Sequence, residues 1–596
     1  MTNEFYSITV LDNAMIYSCM NISLQPKQTF VISQERNDIK EIIQHIGDLS
    51  GQIGFGNIDF DYLFLHKLTS GRKYYYESSV RDILFDIKST LNSILACEEI
   101  FGSEYYMQQL DLRKIFGFKA TNTTIDDIKP SFGIYVKKPH KNASIDEWVR
   151  YTESNVVAIA KLYFVSVGKT NNPNYSGVNI LAPRYEFAKR YRVQCLNESE
   201  PRIGERVFIK DFLRKSNRTY ESLLKKNQDN FVFTIPEKFN EKEFSPEFAP
   251  FLNSLKENRA FIGDISFRDL KIKFGNGGLH AAKQGEFNNK EKSIIDFDIH
   301  SMYATIAVAF NIYPRHMSED FCKTMKELLD ERLSLIRERS SELGKIKLLK
   351  GILNSIYGKT QEEKSLLFDK SYSARVIFCT QLLMCYWLSE LSKIESVEFL
   401  LVNTDGMIIA VDNTHVNDVK SIAIKIKDFI NCCISVSFYS NIFIKDVNSY
   451  IGIKSNSEII AKGIFDFNKK IGKNSYPIAV KKAVKDYLLF GSDLINIKQY
   501  PINDFIITTS SEYDLTFYSK EKEIFCSKTC SYYVTTDTSS GGRIGYKKGK
   551  KTNISNVGNI VKLAEDYNQN DIDYNFYISE VEKLLSVFDS KQLTLF

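Results

Sequence analysis

No stretch of the chain reaches the roughly eighteen consecutive apolar residues that a membrane-spanning helix needs. The opening Met1-Thr2-Asn3-Glu4 has no signal-peptide pattern. The expectation is a cytoplasmic protein with no membrane partner. The ten cysteines include no paired C-x-x-C arrangement: Cys432 and Cys433 are adjacent, and Cys526 and Cys530 stand alone as a pair. That spacing predicts reduced thiols rather than disulfides, and a tetrahedral zinc centre would need more ligands close by. Neither sign of charge dominates, since 78 Lys and Arg against 73 Asp and Glu leave +5. A balance so mildly basic permits a nucleic-acid partner without arguing for one. Internal repeats and long low-complexity segments are also missing. What remains is 596 residues at 43% hydrophobic and 25% charged, a globular composition with material for about three to five domains.

Along the chain the pattern is mixed α/β. Residues 1–185 read as one unit, with strands over Tyr6–Tyr17 and Thr29–Ser33, a helix over Asp38–Ile46 and another over Trp148–Phe164. Residues 186–259 read as a charged, irregular connector. From 260 the chain turns strand-like, and an apolar run, Ile294-Ile295-Asp296-Phe297, ends at Asp298. Two helices over 318–340 and 347–357 predict an αα-hairpin, and 374–394 predicts a core helix. Glu398–Val411 reads as strand, tight turn, strand, with Asp405 at the turn. Residues 471–590 are Lys- and Tyr-rich with mixed elements.

Three segments carry chemistry. Asp298-Ile299-His300-Ser301-Met302-Tyr303 puts a carboxylate at a strand end before a tight turn. Lys350-Gly351-Ile352-Leu353-Asn354-Ser355-Ile356-Tyr357-Gly358 puts Lys350 and Asn354 on one helical face, with Tyr357 near it and Gly358 ending the helix. Asn403-Thr404-Asp405-Gly406 is the third. Two carboxylates meeting across one sheet, Asp298 and Asp405, suit a pair of Mg²⁺ ions, which prefer hard oxygen ligands and few protein groups. The carbonyl of Ile299 offers another oxygen. Lys350 offers a point charge to phosphates, and Arg332 on the partner helix is a candidate for the terminal phosphate. Taken singly, Asp298 also fits an exposed strand-end carboxylate, and Lys350 a solvated helix charge.

Together the segments resemble family B DNA polymerases. Asp298–Tyr303 is similar to that family's D-x-x-S-L-Y, Lys350–Gly358 matches K-x-x-x-N-S-x-Y-G at every fixed position, and Asn403–Gly406 resembles D-T-D-S. The resemblance implies an RNase H-like exonuclease-type domain (1–185), then a right hand of palm (260–317 and 373–470), fingers (318–372) and thumb (471–590). It implies Asp298 and Asp405 as catalytic metal carboxylates holding two Mg²⁺ ions, with Mn²⁺ as a substitute. Ser301, Met302, Tyr303, Lys350 and Asn354 become nucleotide contacts, with Tyr303 the sugar-discriminating ring. Gly277-Gly278 resembles the family's Y-x-G-G segment. With Tyr357, Gly358, Tyr450 and Lys462 it is expected to face DNA; a plain turn is the alternative for the glycines.

The departures are informative. Asn403 stands where the family has its first Asp, and Gly406 where it has Ser. Asn448 stands where the primer-contacting K-x-Y has Lys, and Lys462 is expected to supply that charge. In the N-terminal unit Asn57-Ile58-Asp59-Phe60-Asp61 resembles the second exonuclease motif, but no D-x-E precedes Asn57. Asp12-Asn13-Ala14 is the nearest fit to the first motif, and Tyr151 to Asn155 the nearest to the third. Two of four carboxylates are missing, which predicts weak or no 3′–5′ proofreading.

The chain ends Gln592-Leu593-Thr594-Leu595-Phe596, which resembles the Q-L-x-L-F peptide that tethers bacterial polymerases to the sliding clamp. Gln592, Leu593, Leu595 and Phe596 are the expected contacts. The intervals between the three segments leave no room for large protein-priming insertions. The resemblance therefore implies a monomeric DNA-templated DNA polymerase of a bacterium, its phage or a mobile element, using dNTPs and primer–template DNA. A catalytically silent DNA-binding or clamp-associated scaffold is the alternative that Asn403 favours, and a polymerase of unusual template is another.

Overall fold

A computed structural model describes residues 3–24, 27–95, 108–172, 174–224, 232–468, 471–472, 475–548, 551–554 and 559–588. The tail residues Gln592, Leu593, Leu595 and Phe596 lie outside the described residues. Three sheets organise the rest. The first is five-stranded, in the order β3-β2-β1-β4-β5. Its strands are β1 (Asn3–Val10), β2 (Ala14–Asn21), β3 (Gln28–Ser33), β4 (Gly51–Gly54) and β5 (Gln108–Asp111). The expected strand Tyr6–Tyr17 is thus a hairpin, closed by Leu11 N–H on the Ala14 carbonyl. Side chains alternate on β1. Tyr6 and Ile8 meet helices α1 (Ile39–Gly47) and α2 (Asp61–Ser70), whereas Phe5 meets α3 (Ile145–Ser166). A capping box between Ser144 and Glu147 starts α3.

The segment 186–259 is not an irregular connector. It carries α4 (Glu200–Lys215), whose Ile203, Val207, Phe208 and Phe212 are fully buried in the largest core. Charges fill the other face of that helix, and their number hid its periodicity. Gly204 lets it close on a later helix: a Cβ there would lie 2.9 Å from the Ser355 Cβ and 3.1 Å from the Ile352 carbonyl.

The second sheet has ten strands and holds the centre of the molecule. Its strands are β6 (Gly263–Phe267), β7 (Leu270–Gly275), β8 (Gly278–Ala282), β9 (Gly285–Asn288), β10 (Lys292–Ile299), β11 (Glu398–Val402), β12 (Gly406–Asp412), β13 (Ile434–Asp446), β14 (Ser449–Lys454) and β15 (Ile459–Ala461). β10 lies between β12 and β13, antiparallel to both. Ile295, Phe297 and Ile299 point into the helical core, and Ile294, Asp296 and Asp298 point to the opposite face. The helices are α5 (Met302–Ala309), the hairpin α6 (Asp320–Arg337) and α7 (Leu343–Lys359), the almost wholly buried α8 (Lys370–Leu391), and α9 (Val416–Ile430).

In the third sheet β16 (Ile507–Ser519), β17 (Glu523–Val534), β20 (Val561–Leu563) and β18 (Gly542–Lys548) pair into a ring, with β19 (Lys551–Ile554) on β18. Helices α10 (Ile478–Phe490) and α11 (Tyr574–Leu585) pack in its core. The first unit reaches this sheet: Asp127 accepts from Ser510 and Thr529, both at 2.8 Å. Among the described residues no helix is long and apolar enough to cross a membrane, and the nine described cysteines are free.

Candidate functional site

The site grows from one register. Asp298 at the end of β10 pairs with Gly406 at the start of β12, and Ile299 N–H donates to the Asp405 carbonyl at 2.8 Å. The two acidic residues therefore share one sheet end. Gly406 is required there, because a Cβ would lie 2.1 Å from the Phe297 carbonyl oxygen. Asn403 N–H bonds the Gly406 carbonyl, and the Asn403 side chain accepts from Thr404 N–H, both at 2.8 Å. Asn403 is thus the turn-former of this hairpin, with its amide oxygen already engaged.

The charges confirm how close the groups are. The half-exposed Asp298 carboxyl is pushed up to about 6 by burial, then by the negative charges of Asp405 and Asp296, against the pull of Lys350 and Lys462. Asp296 is pushed up to about 6 as well, chiefly by burial, while Tyr439 donates to it at 3.3 Å and Lys454 and Lys462 oppose the shift. Tyr450 is raised by burial and by the same three carboxylates. The backbone N–H of Lys462 bonds the Tyr450 carbonyl at 2.8 Å. Both expected DNA-facing residues therefore border the acidic cluster.

The turn after Asp298 is held from below. Ser301 has φ 55° and caps α5. Its hydroxyl accepts from the buried Arg332 guanidinium at 2.5 Å. Arg332 lies beneath the Ser301 turn, and the Asp298 charge acts on its guanidinium. Met302 is buried in the core. Tyr303 stacks on Tyr357 with ring centroids 4.3 Å apart and planes at 24°. Its hydroxyl donates to the Gly277 carbonyl at 2.9 Å. Gly278, at φ +143°, sits so close under the hairpin turn that a Cβ would lie 2.1 Å from Thr404 Oγ1. Gln381 on α8 donates to the Gly275 and Gly278 carbonyls, both at 3.1 Å. The glycine turn is therefore pinned to both the Asp405 hairpin and Tyr303.

Helix α7 faces this end. Leu349, Ile352, Leu353 and Ile356 are buried, leaving Lys350, Asn354 and Gly358 exposed and Tyr357 between. Lys345 and Lys359 on the same helix are tied in ion pairs. The positive charge of Lys350 instead acts on Asp298 and His300.

The second expected cluster is largely neutral. Asn57 is fully buried and donates to Gln109 at 2.7 Å, Asp61 is buried, and both lie beside Tyr6. Burial pushes the Asp61 carboxyl up to about 7. Asn155 reaches Ser7 of β1 at 3.5 Å, and Thr152 meets Thr9 at 2.7 Å. Asp12 is not part of this group. It stands 90% exposed in the β1–β2 turn, paired with Lys88 at 3.0 Å. Strand β1 ends at Val10, before Asp12, and the β1 side chains that meet Asn155 and Thr152 are the hydroxyls of Ser7 and Thr9. A nearby carboxylate, Asp111, caps a short helix by accepting from Arg113 N–H and also accepts from Gly56 N–H.

Neither a family model nor a curated protein matches the chain. Among solved structures it is similar to the family B DNA polymerase from the hyperthermophilic archaeon Pyrobaculum calidifontis, with 11% identity and a TM-score of 0.48, over 99% of this chain and 78% of that one.

Sequence reasoning passed over Asp296. The signal was available, since Asp296 and Asp298 are two apart on a strand and share a face. It was masked by the apolar run around it.

Proposed function

We propose that the chain is a DNA-templated DNA polymerase that adds dNTPs to a primer 3′ end, with a proofreading-type domain that lacks two of its four carboxylates and proofreads weakly or not at all. The observation that carries this is the meeting of Asp298 and Asp405 at one sheet end, within reach of the Lys350 charge and bordered by Tyr450 and Lys462. The donor chemistry fits Mg²⁺. Burial, and then the negative charges of Asp405 and Asp296, raise the Asp298 carboxyl, and the donors of the cluster are hard oxygens that a divalent cation would satisfy. Asp298 and Asp405 would hold the ions, with the Ile299 carbonyl as a further oxygen and Mn²⁺ as a substitute. When bound, the metal supplies Lewis-acid stabilisation of the attacking and leaving oxygens.

The protein's own part is positioning. Lys350, with Asn354 one turn on, presents a charge and an amide to the triphosphate. Tyr303, braced by Tyr357 and the Gly277 carbonyl, walls the sugar pocket. Arg332 acts on the nucleotide through Ser301, by fixing the turn that carries Met302 and Tyr303. Gly277, Gly278, Tyr357, Gly358, Tyr450 and Lys462 line the side on which primer–template DNA would lie. Palm, fingers and thumb correspond to the ten-stranded sheet, the α6–α7 hairpin and the third sheet with its helices. The terminal Gln592-Leu593-Thr594-Leu595-Phe596 is proposed as a clamp tether in a bacterial or phage-infected cytoplasm.

Primer extension with Mg²⁺ or Mn²⁺ tests the reading. Wild-type protein is expected to extend a primer in a template-directed way, while Asp298→Ala and Asp405→Ala bind the duplex and do not extend it. A second reading, a silent DNA-binding scaffold, rests on Asn403. It would be chosen if wild-type protein bound primer–template and extended it with neither ion.

A further inference from the structure

Well inside the first unit, three metal-ligand side chains converge from three different elements. Glu4 lies on β1, Cys19 on β2 and His45 in the last turn of α1. The β1–β2 register pairs Tyr6 with Cys19 and Glu4 with Asn21, so Glu4 and Cys19 are diagonal neighbours on the face that α1 covers. His45 Nε2 is 2.8 Å from Glu4 Oε2 and 3.4 Å from Cys19 Sγ. All three ligand atoms lie within 4.8 Å of one another. Glu4 and Cys19 are only 3% and 2% exposed, while the His45 side chain keeps a 25% exposed edge toward solvent.

The surroundings treat this as a built site. The other Glu4 oxygen accepts from the Tyr17 hydroxyl and, at 3.0 Å, from Gln52 Nε2, which fixes the carboxylate and leaves Oε2 turned to His45. A buried carboxylate needs a cation beside it. Without an ion the Cys19 thiol bonds Glu4, and the His45 Nε2 lies within reach of both. A divalent ion engages oxygen, sulfur and nitrogen together. With Cys19 as thiolate and Glu4 ionised, the buried charge sums to zero.

We infer that Glu4, Cys19 and His45 form a binding site for a divalent transition-metal ion, Zn²⁺ by its donor set, that ties α1 to the β1–β2 hairpin. Thiolate, imidazole and carboxylate are the donors zinc takes, whereas Mg²⁺ avoids thiolate. Tetrahedral bonds of about 2.0–2.3 Å give ligand-to-ligand edges of about 3.3–3.8 Å. The sulfur–nitrogen distance already falls in that range, and the oxygen–nitrogen one has to open by about 0.5 Å. Three protein ligands leave a fourth position to a small ligand such as water. Binding frees the thiol proton, so affinity rises with pH. Without an ion, burial and the Glu4 charge push the Cys19 thiol up and keep it protonated. Gln52 also links the site to the proofreading-like cleft, through Gln109 at 3.1 Å and on to Asn57.

The test uses the full chain, exchanged against Zn²⁺ or Co²⁺ and then dialysed against buffer that contains Mg²⁺ and no transition metal. Elemental analysis is expected to find one zinc per chain, and the Co²⁺ form to show a thiolate-to-cobalt charge-transfer band. Cys19→Ala and His45→Ala are expected to lose both, and Asp298→Ala to keep both. The Co²⁺ spectrum of the wild-type chain decides the matter even where a variant folds poorly. No retained zinc and no charge-transfer band, or full retention in Cys19→Ala and His45→Ala, would show a hydrogen-bonded cluster only and overturn the site.

Discussion

Single residues at the candidate site are set against their own stability. Asp298 titrates at about 6 in the folded chain against an ordinary 3.8. The folded state thus holds this proton more tightly than the unfolded chain. Stability is lost as pH rises from about 4 to 6, and the loss is complete above 6. Asp298→Asn is therefore expected to raise the melting temperature in metal-free buffer above pH 6, with no gain below about pH 4, while removing synthesis. Thermal melts across that range check it, and an unchanged or lower melting temperature at pH 8 would contradict it. The same logic explains why Asp296 stays tolerable: Tyr439 and two lysines surround it.

At the scale of elements, much was legible. The strand into Asp298, the α6–α7 hairpin, α8 and the Asp405 hairpin all stood out, because each has a clean apolar period or a turn signal of its own. Helix α4 did not, since half of its surface is charged and its burial depends on Gly204 fitting against α7. The Glu4, Cys19 and His45 cluster was invisible for a different reason. Strand register and helix docking bring it together, and neither is written in local spacing. Register also explains Gly406. The Gly406→Ser substitution drives a Cβ into the Phe297 carbonyl. The expected cost is about 1–3 kcal/mol, with slower primer extension rather than faster. Denaturant melts and extension assays on that variant check it; a neutral or faster variant would mean the β10–β12 spacing relaxes freely.

At the scale of the whole molecule, the first unit carries a buried carboxyl, Asp61, that burial pushes up to about 7; a carboxyl so raised is a poor metal ligand at neutral pH. The unit still grips the third sheet through Asp127, and the Lys137–Glu565 pair adds to that contact. A 3′-labelled single strand is expected to survive incubation with wild-type protein and Mg²⁺ or Mn²⁺. Degradation that disappears in Asp61→Ala would contradict this. The raised Asp61 also makes Asp61→Asn stabilising above pH 7 and neutral below about pH 4.

If Asp298 and Asp405 act together on a nucleotide delivered by the helix carrying Lys350, single-turnover insertion of one dNTP on pre-bound primer–template will show it, with duplex affinity measured alongside. Rapid Mg²⁺-dependent insertion is expected of the wild-type chain, and loss of insertion at unchanged duplex affinity of Asp298→Ala and Asp405→Ala. Insertion at the wild-type rate by either variant would contradict it.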